Sequence, residues 1–180
     1  SDHEPREYAD AFLRSLSEAA RSADALLIAD RAERLAPHAL KSLTALREHA
    51  GAELVYSDHD HLDSNGIQTN PEFTFGWSSE HLLGRNYIGG VYLFTTALFE
   101  RINTEALLKS LSDVITNNPQ TITTLRYRLL LELGNAARKV ARVPEVLWSE
   151  TSTPDTTHHT ESLWASNFLE ENEPGCKLLE

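Results

Sequence analysis

Asp58 and Asp60 alternate with His59 and His61 one residue after the apolar run 54–56. In an extended strand successive side chains point to opposite faces, so the two aspartates share one face and the two histidines share the other. Paired carboxylates at a strand end suit Mg²⁺ or Mn²⁺, which proteins typically hold with one or two carboxylates, water and substrate phosphates. The spacing therefore indicates a divalent-cation site with Asp58 and Asp60 as metal ligands.

The same segment is open to two other interpretations. The aspartates, followed by Asp63, are also typical of a solvated turn after a strand, because Asp accepts hydrogen bonds from its own backbone. In the other, three histidines would hold zinc, although they lack the spacing of a helical or finger-like zinc motif. These histidines are His38, His59 and His61.

Helical and strand patterns alternate in the first part of the chain. Apolar residues at helical spacing predict a helix from about residue 7 to 23. Leu40, Leu43 and Leu46 predict a second helix, which begins near Pro37 and ends before Gly51. Short apolar strands are predicted at 25–29 and 54–56, and this alternation favours an α/β layer with a parallel sheet.

Turn residues and shorter patterns divide the rest of the chain. A turn is predicted at 63–66, a loop at 68–76, and a short helix from the capping residue Ser78 to Leu83. Further predictions are a strand at 90–95, helices at 96–101, 104–115 and 121–133, and a strand at 139–148 broken at Pro144. Residues 1–150 are predicted to form one domain, and 151–180 a polar tail with a possible short helix.

Composition narrows the classes of function. The 180 residues are 41% hydrophobic, enough for one ordinary core. A net charge of -11 without a basic stripe excludes nucleic acid as a partner. The single Cys176 suits a reducing compartment, and no apolar run is long enough to span a bilayer, so a cytoplasmic location is expected. The absence of methionine suggests a domain fragment of a longer protein.

Three motifs in order resemble a subgroup of family 2 glycosyltransferases. Members carry Tyr-Ser-Asp-Glu-Asp, then a Lys-Pro-Asp-Trp-Ser-like run, then Asn-Tyr-Ile-Gly. Here the matching segments are 56–60, 76–78 and 86–89, and the likeness extends more loosely from about Ala25 to about Trp148. The resemblance implies a GT-A fold, a partial Rossmann-like mixed sheet flanked by helices. The usual first strands of that fold have no counterpart before Ala25.

The resemblance implies transfer of a sugar from a nucleotide-diphosphate donor to an acceptor hydroxyl. A Mg²⁺ or Mn²⁺ ion would neutralise the diphosphate, and a carboxylate would act as general base. The expected partners are a nucleotide sugar and a glycan or lipid-linked acceptor in the parent protein. Aromatic faces suit sugar rings, and an amide both donates and accepts hydrogen bonds. The implied metal ligands are Asp58, Asp60 and Asp30, and the implied acceptor-pocket residues are Trp77, Asn86 and Tyr87.

The chain departs from the family pattern at its acidic positions. Alignment on Leu35 and Pro37 places Ala32 where a metal-side carboxylate is usual, which leaves Asp30 and Glu33. Arg126 and Arg128 stand at both acidic positions of the motif that carries the base, and a guanidinium cannot accept the proton. Ser149-Glu150 replaces the family's His-Trp pair. The catalytic residue is therefore unknown, and the isolated chain is expected to lack activity.

Three functions follow from these observations. One is the acceptor-side part of a metal-dependent glycosyltransferase, active only within its parent protein. Another is a GT-A-like interaction or scaffold module that has lost turnover. The third is an unrelated α/β binding protein whose agreement with the motifs is accidental. The motif order from Tyr56 to Gly89 favours the first two. Independently of these functions, Trp77 and Tyr87 are also open to interpretation as core or cleft-wall aromatics and not as sugar platforms.

Overall fold

The computed structural model describes residues 4–29, 33–105, 107 and 121–151. Within these ranges, helices flank a six-stranded mixed sheet, which confirms the predicted mixed α/β class. The helices are α1 (Glu4–Ala20), α2 (Ala39–Ala50), α3 (Ser79–Gly84), α4 (Thr96–Phe99) and α5 (Thr121–Ala136). The strands are β1 (Ala25–Ile28), β2 (Glu33–Leu35), β3 (Leu54–Leu62), β4 (Gln68–Glu72), β5 (Tyr92–Thr95) and β6 (Val140–Thr151).

The strands are ordered β1-β5-β3-β6-β2, and β4 also pairs with β3. One edge of β3 pairs first with β5 and then with β4, while its other edge follows β6. Only β3 and β6 run parallel among the described pairs; the other four pairs are antiparallel. The expectation of a parallel sheet was therefore wrong outside this central pair. Among these pairs, only β3 and β4 follow each other in the chain as a hairpin, and the other antiparallel neighbours come from distant parts of the sequence.

Side chains alternate between two cores on the faces of the sheet. Leu54 and Tyr56 belong to the larger cluster with α1, α3 and α5, whereas Val55 packs in the smaller cluster with α2. On β5, Tyr92 and Phe94 lie in the larger cluster and Leu93 in the smaller one. This period of two is the expected pattern for a sheet that helices cover on both faces.

The predicted helices near 7–23, 37–50, 78–83, 96–101 and 121–133 are confirmed with shifted ends. Helix α2 ends where Gly51 adopts a left-handed conformation (φ 63°), which glycine tolerates without strain. Ser78 caps α3 by accepting a hydrogen bond from the His81 backbone N–H. Leu40 is 54% exposed, so the expected apolar face of α2 depends on Leu43 and Leu46 instead.

Strand β3 is nine residues long, where only 54–56 was predicted. Its second half contains the Asp and His residues, and it pairs with β4 on one side and β6 on the other. The predicted loop 68–76 is therefore wrong for Gln68–Glu72, which form β4. The polar residues and Pro71 of this segment are typical of a loop, so its sequence does not predict a strand. The proline fits nonetheless, because proline is tolerated at sheet edges. Strand β2 was also missed, because three residues carry almost no periodicity.

Strand β6 continues through Pro144, where a break was predicted. Ser57 pairs with Val143, but Asp58 pairs with Val146 and His59 with Trp148, so the register slips around Pro144. A bulge leaves residues unpaired, so a residue without a backbone N–H fits there. The strand bends at the proline and does not end.

Part of the sequence interpretation concerns residues outside the described ranges. These are Asp30, most of the predicted helix 104–115, and the tail after Thr151. Among the helices that the structure describes, none combines the length and the apolar character needed to cross a membrane.

Candidate functional site

Asp58 is buried and fully engaged by protein hydrogen-bond donors. Its Oδ1 accepts from the Thr74 backbone N–H (2.9 Å), the Thr74 hydroxyl (2.7 Å) and Arg142 Nε (2.9 Å), and its Oδ2 accepts from Arg142 Nη2 (2.7 Å). Burial alone would raise the pKa of Asp58. The hydrogen bonds from Arg142 and Thr74 outweigh burial and hold its pKa below the ordinary value. The carboxylate is therefore ionised at neutral pH.

The register of the β3–β6 pair positions Arg142 beside Asp58. Arg142 lies opposite Tyr56, two residues before Asp58 on the same face of β3. Its fork of two N–H groups matches the two carboxylate oxygens, a geometry that lysine cannot provide. A cation at Asp58 would have to displace this guanidinium. The predicted metal role of Asp58 stays a prediction.

Asp60 is also buried, at the next position on the aspartate face. Its Oδ1 is enclosed and has no hydrogen-bond partner within the part of the chain that the structure describes. Asp60 lies opposite Ser149 of β6, one of the residues that replace the family's His-Trp pair. A buried carboxylate oxygen without a donor is costly, so this atom is suited to a cation or a donor group. The third predicted ligand, Asp30, lies outside the described residues.

His59, His61 and Glu72 form a second cluster, which sequence analysis grouped incompletely. Their candidate ligand atoms all lie within 4.8 Å of one another. His61 Nε2 donates to Glu72 Oε1 at 3.0 Å, and His59 Nε2 lies 3.8 Å from Glu72 Oε2. The two histidines share a face as predicted, but their third neighbour is Glu72 and not His38. His38 instead pairs with Glu145 at 3.0 Å.

A bulge between β3 and β4 brings Glu72 to both histidines. Glu72 pairs with His59, while His61 pairs with Thr69, so β4 has one extra residue in this interval. Asn70 takes a positive φ of 47° there, a conformation that asparagine tolerates better than most residues. The sequence signal for this arrangement is the turn at 63–66. A strand that continues to Leu62 before this turn predicts a hairpin, and the hairpin brings Glu72 back beside the histidines.

The surroundings hold the His59 ring in place. It stacks on Trp148 with centroids 4.4 Å apart and planes 11° apart. Burial lowers the pKa of His59, against the opposing effect of the Glu72 charge, and favours the neutral imidazole. Burial alone would raise the pKa of Glu72, but the His61 hydrogen bond and nearby positive charge outweigh it and lower the pKa.

Tyr56 connects the first motif to the segment around Trp77. Its hydroxyl donates to the Phe75 carbonyl at 2.9 Å, and its ring meets Tyr87 edge to face at 6.0 Å. Burial raises the pKa of Tyr56, so the phenol stays protonated as a donor. The three motifs of the family pattern therefore form one contiguous unit.

The predicted acceptor residues are mainly held by internal contacts. Tyr87 is buried, stacks on Phe75 at 4.4 Å, and its hydroxyl accepts from the Ser78 backbone N–H at 3.1 Å. Asn86 closes the turn to Gly89, where its Oδ1 accepts from the backbone N–H at 3.1 Å. Trp77 packs against helix α5, so close to Gly134 that an added Cβ there would lie 2.5 Å from the indole. Their predicted role in binding stays a prediction.

The two arginines at the family's acidic positions lie inside the protein. Arg126 donates to the Gly90 carbonyl, and Arg128 is fully buried with its Nη2 3.1 Å from Glu132 Oε1. The Tyr92 hydroxyl also donates to the Arg126 carbonyl at 2.8 Å. The Arg126 guanidinium thus connects α5 to Gly90, whereas the Arg128 guanidinium bonds to Glu132 within α5 itself.

No family model and no curated protein matches this chain. Similar solved structures include three of S. aureus TarS. TarS 1-349 in complex with UDP has a TM-score of 0.49 and 11% identity over 86% of this chain and 49% of that chain. A second TarS crystal structure has a TM-score of 0.49 and 14% identity, over 93% of this chain and 28% of that chain. TarS 1-349 has a TM-score of 0.46 and 12% identity, over 86% of this chain and 51% of that chain. This chain thus spans about half the length of TarS 1-349 and about a quarter of the longer TarS chain. Likeness at this level assigns neither a substrate nor an activity.

Proposed function

We propose that this chain is a glycosyltransferase-like domain, related to metal-dependent transfer of a sugar from a nucleotide-diphosphate donor to an acceptor hydroxyl. The observation that best supports it is the contiguity of the three motifs. Tyr56 packs edge to face on Tyr87, and the Tyr87 hydroxyl accepts a hydrogen bond from the Ser78 backbone N–H. Residues that are distant in sequence but match the family pattern thus lie together beside the middle of β3.

In this proposal, carboxylates on the aspartate face supply oxygen ligands for Mg²⁺ or Mn²⁺. The enclosed Oδ1 of Asp60 supports the assignment, because hard cations prefer carboxylate oxygens. Asp58 would bind the metal ion only if Arg142, which occupies both of its carboxylate oxygens, moved aside. The metal would neutralise charge on the diphosphate, and the proposed ligands are Asp58, Asp60 and Asp30.

The proposed substrates are a nucleotide sugar and a glycan or lipid-linked acceptor. Trp77, Asn86 and Tyr87 would shape the acceptor side of the site. Part of the Trp77 side chain is accessible, and it borders a segment with the exposed Phe73 and Phe75. Exposed aromatic faces are suited to sugar rings, which supports a carbohydrate acceptor.

We further propose that the chain does not transfer sugar in isolation. Arg126 and Arg128 occupy the positions where the family carries its acidic motif, and both are buried. An arginine side chain remains protonated and cannot act as the general base. Any base for this reaction would have to come from elsewhere in the parent protein.

A scaffold module without catalysis is the second candidate. The observation that favours it is the complete use of the Asp58 carboxylate by Arg142 and Thr74. A retained metal site normally leaves carboxylate oxygens open to the ion and its water. In this function the GT-A-like unit would keep its shape and bind another protein.

Calorimetric titration with Mn²⁺ and a panel of nucleotide sugars distinguishes the two functions. Asp58→Asn and Asp60→Asn test the aspartate face, and Glu48→Ala is the control, because Glu48 is an exposed carboxylate on helix α2. Binding heat that both Asn variants abolish, with Glu48→Ala unchanged and circular dichroism preserved, would support donor binding. No heat with any nucleotide sugar would contradict it and support the scaffold function.

A further inference from the structure

We propose that His59, His61 and Glu72 bind a Zn²⁺ ion. This site is distinct from the aspartate face and from any sugar-transfer chemistry. The two histidines lie on the opposite face of β3 from Asp58, and Glu72 reaches them from β4. The site does not depend on the proposed function, because its ligands are different side chains with a different metal preference.

The spacing of the ligand atoms matches a tetrahedral ion after small movements. Zinc bonds to nitrogen and oxygen are about 2.0–2.2 Å long, so tetrahedral ligands lie roughly 3.4 Å apart. His61 Nε2 lies 3.0 Å from Glu72 Oε1 and His59 Nε2 lies 3.8 Å from Glu72 Oε2, one shorter and one longer than this value and each to a different oxygen. All three ligand atoms lie within 4.8 Å of one another. Rotation of the carboxylate can equalise the two distances.

The buried ring of His59 is the second observation that points to an ion. The 3.8 Å gap from His59 Nε2 to Glu72 exceeds hydrogen-bond distance. His59 Nδ1 is enclosed and has no hydrogen-bond partner within ranges 4–29, 33–105, 107 and 121–151. A polar side chain with 5% exposure is normally satisfied. A cation between His59 and Glu72 would bind Nε2, the ring nitrogen that faces Glu72 across this gap.

The donor set selects the metal. Two imidazole nitrogens and one carboxylate suit zinc and related transition metals, whereas Mg²⁺ prefers oxygen ligands throughout. Three protein ligands leave the fourth zinc position for water. His61 and Glu72 are 23% and 37% exposed, so solvent reaches that position.

Neighbouring residues hold the ligands before the metal arrives. Trp148 stacks on the His59 ring, and Arg85 Nη2 donates to Glu72 Oε2 at 3.2 Å. A partner that binds a ligating carboxylate orients it for the metal. Glu72 Oε1 can thus bind zinc while Arg85 holds the other oxygen.

The test measures zinc binding to the full chain by calorimetry and thermal unfolding. All proteins carry His158→Ala and His159→Ala, so that this adjacent pair cannot bind the metal. The test variants are His61→Ala and Glu72→Gln, which change partly exposed side chains and are expected to fold. His38→Ala is the matched control, because His38 also pairs with a carboxylate, Glu145, but lies outside the cluster.

We expect one zinc per chain bound at this cluster, a raised midpoint of thermal unfolding, and no displacement of that zinc by Mg²⁺. Each test variant should weaken zinc binding at least about tenfold, and His38→Ala should bind as the parent does. Long-range ¹H–¹⁵N spectra should show zinc on Nε2 of His59 and His61. Absence of stoichiometric zinc binding, or undiminished binding in both test variants, would overturn the proposal.

Discussion

Arg142 holds both carboxylate oxygens of Asp58, with Nε and Nη2 at 2.9 Å and 2.7 Å. The pair joins the two parallel strands at the point where their register slips. The partners differ in exposure, at 2% for the Asp58 side chain and 26% for Arg142. Loss of the arginine therefore isolates a buried charge, whereas loss of the aspartate leaves a guanidinium that can reach water.

We expect Arg142→Met to destabilise the protein by roughly 3 kcal/mol, because it leaves Asp58 ionised and buried. Asp58→Asn should cost only about 1–2 kcal/mol, since Asn can still accept hydrogen bonds from Thr74. Urea unfolding followed by tryptophan fluorescence measures both. Arg85→Met is the control, because Arg85 is exposed and its pair with Glu72 should contribute less than about 1 kcal/mol. An equal cost for Arg142→Met and Arg85→Met would contradict this account.

Acid should remove the contribution of the same pair. The pKa of folded Asp58 lies below its ordinary value of 3.8. Its carboxylate therefore adds stability that is present above pH 3.8 and is lost as the pH falls through the folded pKa. One such group contributes a slope of at most about 1.4 kcal/mol per pH unit. We expect Asp58→Asn to flatten the fall in unfolding free energy below pH 4, and a profile parallel to wild type would refute this.

Gly89 lies against Trp148 in a conformation that favours glycine. Its φ is +78°, and an added Cβ would lie 2.5 Å from the indole ring. We expect Gly89→Ala to cost roughly 2–4 kcal/mol, from left-handed strain and overpacking together. Gly66→Ala is the matched control, since Gly66 has φ +75° but nothing within 4 Å, and it should cost about 1 kcal/mol. Similar unfolding midpoints for the two variants would show that the contact with Trp148 is unimportant.

Sugar transfer by this chain alone should be undetectable. The reason is the replacement of both acidic positions by Arg126 and Arg128, which cannot accept a proton at neutral pH. The measurement is release of the nucleoside diphosphate from a panel of nucleotide sugars, with Mg²⁺ or Mn²⁺ and glycan acceptors. Turnover above the rate without protein would overturn this prediction, even if donor binding were also found.

Local sequence predicted the elements whose periodicity is strong. Helix α5 and strand β5 are rich in apolar residues, and Ser78 marks the start of α3 by its side-chain cap. Strand β4 could not be predicted in this way, because Gln68–Glu72 has neither alternation nor apolar residues. It is a strand only because β3 supplies an edge with which it can pair.

The sequence predicted only those parts of the candidate sites that consist of neighbouring residues in the chain. The alternation of the aspartates and histidines followed from the strand period, and the structure keeps the two histidines on one face. Arg142 is 84 residues from Asp58 in the chain, and no local pattern marks it as the partner. Glu72 is 11 residues from His61, and only the hairpin with its bulge joins them.

Strand β6 has a surplus of three residues over the stretch of β3 that it accompanies, since eight steps from Leu54 to Leu62 match eleven steps from Val140 to Thr151. Had the initial frame continued, Glu145 and not Trp148 would lie beside His59. The surplus thus exchanges a carboxylate neighbour for an indole and leaves Glu145 to pair with His38. A small insertion or deletion near Pro144 would therefore change which side chain lies beside His59 without altering any residue of β3.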